Sequence, residues 1–119
     1  MSIIKGYQAE QLAGHFLTKN GLDIIARNYR CKGGEIDLVC RDKNTVVFVE
    51  VRSRAATGFA SAKESVTLTK QQRLIRAAHL FLLEKKWTES YPCRFDVVAL
   101  QMKQEDMKIE WIKDAFICG

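Results

Sequence analysis

Two acidic residues stand where acids are costly. Asp37 interrupts the run Gly34-Glu35-Ile36-Asp37-Leu38-Val39, and Glu50 interrupts Val46-Val47-Phe48-Val49-Glu50-Val51-Arg52. Both runs read as buried strands, and burying an unpaired carboxylate costs on the order of several kcal/mol. Two carboxylates at ~4 Å also repel by roughly 4 kcal/mol at an effective dielectric of 20. A divalent cation with a taste for oxygen ligands, Mg²⁺ or Mn²⁺, removes that repulsion. Such a metal polarises a phosphoryl oxygen and helps generate a hydroxide nucleophile. A cation at position 52, two residues from Glu50 and on its face of the strand, would stabilise charge on the phosphate or orient the attacking water. The chemistry these residue types suggest is phosphodiester hydrolysis.

The elements that must hold them are legible from pattern. Ala9, Leu12, Ala13, Phe16 and Leu17 recur with helical period, predicting a helix over residues 6–20 closed by Asn20-Gly21. Strands are expected over 22–29, 35–40 and 45–51, separated by turns at 31–34 and 41–44, so that Asp37 and Glu50 sit on antiparallel neighbours with one face in common. Residues 53–66 lack a period and read as a loop. Thr69 is the expected N-cap of a second helix running to about Lys86, with Leu74, Ala77, Ala78, Phe81 and Leu82 facing the core. Strands over 93–100 and 108–113 complete the order αβββαββ. A hairpin followed by a helical crossover implies an α/β fold, a mixed five-stranded sheet flanked by helices.

With 119 residues, this is one domain (1–119) able to bury a single core. No apolar run approaches the ~20 residues of a membrane helix. Met1 to Lys5 has none of the features of a secretory leader. Cys31, Cys40, Cys93 and Cys118 show no metal-binding spacing and are expected as free thiols, which suits a cytoplasmic protein. The net charge of +5 clusters around the acidic pair, at Arg27, Arg30 and Lys32, at Arg52 and Arg54, and at Lys70, Arg73 and Arg76. Positive charge about an acidic pocket suits a nucleic-acid substrate.

The ordered set Gly6-x-x-Ala9-Glu10, Arg27-Asn28, Gly34-Glu35-Ile36-Asp37-Leu38, Val49-Glu50-Val51-Arg52, Lys70 with Arg73, Arg94-Phe95-Asp96-Val97 and Asp114-Ala115-Phe116 resembles the YraN-like family of predicted endonucleases. That family is placed in the PD-(D/E)XK, restriction-endonuclease-like superfamily and resembles archaeal Holliday-junction resolvases. The resemblance spans nearly the whole chain. It implies a restriction-endonuclease-like core and a metal-dependent nuclease acting on DNA, with branched or flapped structures among the candidate substrates and RNA left open. It implies Asp37 and Glu50 as metal carboxylates, joined by Glu10 from the first helix, and Arg52 at the motif's lysine. Arg54, Lys70 and Arg73 become the expected contacts to the strand. The resolvases act as symmetric dimers, which makes a homodimer one expected state. Most relatives carry lysine where this chain has Arg52, and arginine effectively never loses its proton. A fixed charge can be supplied by Arg52 and a proton relay cannot, unless Lys70 takes that part.

Other residues have plainer readings. Glu35 is expected on the face opposite Asp37, paired with Arg27 or Arg30. Asp96 reads as a sheet-edge salt bridge, His15 and His79 as packing or surface residues, and Gly33-Gly34 as a turn without a phosphate-loop lysine. The alternative to an enzyme is a non-catalytic nucleic-acid-binding module on the same fold. A third reading is an interaction scaffold whose acids are merely salt-bridged.

Overall fold

The computed structural model describes residues 6–54, 66–103 and 105–117, with the side chains of Arg54, Met102 and Lys103 outside the description. The elements are α1 (Gly6–Lys19), β1 (Asp23–Cys31), β2 (Gly34–Asp42), β3 (Thr45–Arg54), α2 (Leu68–Lys85), β4 (Cys93–Lys103) and β5 (Asp106–Phe116). The strands form one sheet in chain order, β1-β2-β3-β4-β5. β3 and β4 are parallel and every other pair antiparallel. The expected mixed α/β architecture is therefore present. The expected loop over 53–66 falls largely on residues outside the description.

Alternation along the central strands assigns each helix to its own side. Val46 and Phe48 of β3 and Phe95, Val97 and Ala99 of β4 pack with Leu74, Ala77, Ala78, Phe81 and Leu82 of α2. Val47 and Val49, with Val98 and Leu100, pack with Ala9, Ala13 and Leu17 of α1. A sheet buried on both faces must be apolar at nearly every position, which explains the unbroken valine and phenylalanine of β3. Phe81 anchors the α2 side, edge-on to both Phe48 (6.1 Å) and Tyr29 (5.2 Å).

The ends of the helices follow from local chemistry. Gly21, at φ +95°, turns the chain out of α1, where a side chain would be strained. α2 begins two residues earlier than expected: its N-cap is Thr67, whose hydroxyl accepts from the Lys70 N–H at 3.3 Å. Thr69 lies inside the first turn. Both threonines suit the role, and Thr67 takes it because its extended backbone (φ −67°, ψ 164°) aims its oxygen at the free N–H groups.

Candidate acidic site at a fork in the sheet

The β2–β3 ladder is short. Its pairs run from Asp42↔Thr45 to Leu38↔Val49 and stop. Beyond that point β2 stays with β1 (Tyr29↔Ile36, Arg30↔Glu35), while β3 stays with β4 as far as Arg54↔Gln101. The sheet thus opens into a fork, and Asp37 sits at its crotch. The Val51 N–H, which a continued ladder would aim at β2 backbone, donates instead to Asp37 Oδ2 at 2.8 Å. One side chain satisfies a backbone group that the split would orphan.

The fork refines the expectation that Asp37 and Glu50 share a face. Ile36 packs in the α2-side core and Leu38 in the α1-side core, so alternation breaks at Asp37. Asp37 lies in the gap between strands and is approached from both sides. Glu50 belongs to the α2 side, because Val49 and Val51 both face α1. Glu10 comes from α1 and hydrogen-bonds both Asp37 and the Asn28 amide. Asn28 lies opposite Asp37 in the β1–β2 register and has a left-handed backbone, φ +49°. Asparagine takes this conformation more readily than most side chains.

The electrostatics show a cluster short of positive charge. Burial, then the neighbouring Glu50, pushes the Asp37 carboxyl up to about 8, and the Val51 N–H only partly opposes this. Burial, followed by the charge of Asp37, also raises Glu10, with the Asn28 amide pulling the other way. The cluster thus favours retaining a proton at neutral pH. Lys70, on the first turn of α2, pairs with Glu50, Nζ to Oε2 at 3.9 Å. That is too long and too exposed to neutralise the fork.

An oxygen-seeking cation fits this donor set. Among the described residues no three acidic, histidine or cysteine side chains form a ready cage. Mg²⁺ does not need one, since it commonly binds through one or two carboxylates and keeps several waters for exchange with phosphate oxygens. Asp37 and Glu50 supply that pair, and Glu10 stands against Asp37 from the other side.

The remaining expected residues are placed as follows. Arg52 is half-buried on the α2 side with Glu50. Lys70 and Arg73 border a hollow of about 450 Å³ that opens beside Glu50, and the Arg54 side chain lies outside the description. Glu35, expected on the face opposite Asp37, borders the same hollow as Glu50. It does pair with Arg30, at 3.4 Å and largely exposed. Asp96 also differs from expectation. β4 lies between β3 and β5, so Asp96 is not at an edge but fully buried. It accepts from Arg94 Nε (3.0 Å), Trp111 Nε1 (3.0 Å) and the Asp114 N–H (2.9 Å), and Arg94 bridges onward to Asp42. This is a structural network tying β5 to the hairpin. His15 and His79 are both exposed. Cys31, Cys40 and Cys93 form no disulfide among the described residues, and Cys118 lies outside the description. No helix among the described residues is long and apolar enough to cross a membrane.

Fold and site together define a class: a mixed α/β domain with an acidic cluster at a split between two strands of its sheet. The model of the family described as "Uncharacterised protein family UPF0102" matches residues 9–100, and the chain belongs to that family. It is 51% identical over 114 residues to a UPF0102 protein of Pseudomonas putida strain W619, covering 95% of this chain and 93% of that one. A UPF0102 protein of Saccharophagus degradans is 50% identical over 111 residues (93% and 91%), and one of Hahella chejuensis 48% identical over 117 (98% and 93%).

Proposed function

We propose that this protein is a metal-dependent nuclease with a restriction-endonuclease-like core that hydrolyses the phosphodiester backbone of DNA in the cytoplasm. The observation that carries this reading is the fork, where Asp37, Glu50 and Glu10 meet with too little positive charge among them. Asp37 and Glu50 would hold Mg²⁺ or Mn²⁺, with Glu10 completing the acidic shell. Bound there, the metal supplies Lewis acidity toward a phosphoryl oxygen and a more acidic water. The chain's own residues do the rest. The Val51 N–H fixes the Asp37 carboxylate. Arg52, permanently charged, offsets the negative charge that builds on the phosphate. Lys70 and Arg73 draw the strand toward the α2 side, with Arg54 at the end of β3 a further basic residue for the backbone.

The test is cleavage of labelled single-stranded, duplex, flapped and four-way DNA with Mg²⁺ or Mn²⁺. Cleavage is expected to vanish with EDTA and in Glu50→Ala and Asp37→Ala. Full metal-dependent cleavage by both variants would sink the mechanism. A second reading, a nucleic-acid-binding module without turnover, is favoured by arginine at position 52 where the motif has lysine. It predicts salt-sensitive binding and no cleavage with any metal, and cleavage by Arg52→Lys alone would show a competent site disarmed at one position.

A further inference from the structure

We infer that the hollow beside Glu50 is a pocket for one unpaired nucleotide, held next to the phosphate that lies at the fork. The inference rests on the nuclease reading only for that neighbouring phosphate, and the pocket itself is argued from its own walls. Its volume of about 450 Å³ falls within the ~300–1,000 Å³ of small-molecule sites, well beyond what one phosphate would fill. Arg30, Lys70 and Arg73 stand around it, while Cys31 and Leu74 give it an apolar side and the Gly33-Gly34 turn exposes backbone. A guanidinium pairs with phosphate at its edge and stacks on a base with its face. The chemistry therefore offers a place for both halves of a nucleotide.

Concavity decides between paired and unpaired nucleic acid. Bases inside a duplex are stacked and paired, so a duplex can offer this hollow only backbone at its rim. An unpaired nucleotide can enter it. The wall cannot close inward without cost, because the β1–β2 turn is already seated on α2: a Cβ at Gly34 would lie 2.3 Å from the Arg73 carbonyl oxygen. The ion pair of Arg30 with Glu35 at the entrance is largely exposed on both sides. Exposed pairs contribute little, so Arg30 can leave Glu35 for a ligand. α2 carries no acidic residue in its first turn, which leaves its N-terminal dipole unopposed toward a phosphate.

The experiment measures binding of the full chain in EDTA, so that cleavage plays no part. Three labelled probes of equal length are compared: a single strand, a blunt duplex, and a duplex with one extrahelical 2-aminopurine. Both probes with unpaired nucleotides are expected to bind about tenfold tighter than the duplex, the difference that 1.4 kcal/mol of stacking makes. The 2-aminopurine emission is expected to change on binding. Arg73→Gln, at an exposed position, and Cys31→Trp, which fills the hollow, should each remove most of that preference while leaving the melting transition in place. Arg73→Gln decides alone if Cys31→Trp does not fold. Equal affinity for all three probes, or an intact preference in the variants, overturns the pocket. Metal-dependent cleavage without that preference keeps the nuclease and discards the pocket. Preference without cleavage by any metal keeps the pocket and discards the nuclease.

Discussion

Replacing Asp37 with asparagine should stabilise the metal-free protein while abolishing metal-dependent cleavage. The sign follows from linkage. The Asp37 carboxyl is pushed from an ordinary 3.8 up to about 8 in the folded protein. Between those values the native state holds a proton that the unfolded chain has released. Stability contributed at this position is intact below about pH 4, falls as pH rises, and is lost by about pH 8. At about 1.4 kcal/mol per pH unit, the roughly three units between 3.8 and neutrality bound the cost at about 4 kcal/mol. Asp37 is only half-buried, so solvent screening discounts that bound, and half of it, about 2 kcal/mol, is the expected gain. Asparagine retains an oxygen for the Val51 N–H and carries no charge. At about 4 °C per kcal/mol for a domain of this size, Asp37→Asn should melt roughly 8 °C higher at pH 7.5 in EDTA. The gain should disappear at pH 4, where both proteins are uncharged at this position. Millimolar Mg²⁺ should raise the wild-type midpoint and leave the variant's unchanged. Thermal melts across pH 4 to 8, with and without metal, measure all of this. A variant less stable than wild type at pH 7.5, or one whose gain survives at pH 4, would refute the claim that unbalanced charge dominates the fork.

Three further outcomes are expected. Gly34→Ala must push the β1–β2 turn off α2, since its Cβ would sit 2.3 Å from the Arg73 carbonyl; a loss of about 2–3 kcal/mol in urea unfolding is expected, and an unchanged midpoint would mean the turn gives way freely. Asp96→Asn leaves Arg94 with Asp42 as its remaining carboxylate partner and turns an amide toward the other donors, costing about 3 kcal/mol by the same measurement, while DNA affinity holds. Lys70→Met should reduce the slope of log affinity against log salt by about one, the signature of a lost phosphate contact; an unchanged slope would confine Lys70 to its ion pair with Glu50.

Much of the scaffold was readable because it rests on period. The α1 stripe of Ala9, Ala13 and Leu17 and the α2 stripe of Leu74, Ala77, Ala78, Phe81 and Leu82 are buried as their spacing required, and acids inside apolar strands marked Asp37 and Glu50. What escaped was non-local or irregular. The break in alternation at Asp37 comes from two strands parting, and no pattern of residue types announces where a ladder stops. Asn28 stood in the sequence only as part of a motif without an assigned role, and its register opposite Asp37, its left-handed backbone and its bond to Glu10 are what connect it to the site. Asp96 was legible as a carboxylate needing a partner, but Trp111 and the Asp114 N–H come from a strand beyond it. The shift of the α2 cap from Thr69 to Thr67 reflects two residues with equal chemistry, chosen by backbone geometry alone.

The fork also explains why an arginine can stand at position 52 without emptying the site of meaning. In a continuous ladder Asp37 would project from one face, and a cation for that face would have to come from the same strand. Here the sheet opens and the acids are reached from two sides. α1 brings Glu10, and α2 brings Lys70 to 3.9 Å from Glu50. Arg52 and Lys70 therefore stand on one side of the sheet from different elements, both half-buried. On the proposed nuclease reading, the two tasks that a single strand lysine would combine, holding charge and moving a proton, can be divided between them. On that reading β3 carries the charge that stabilises the phosphate, and Lys70 stands on the helix that also walls the hollow beside Glu50.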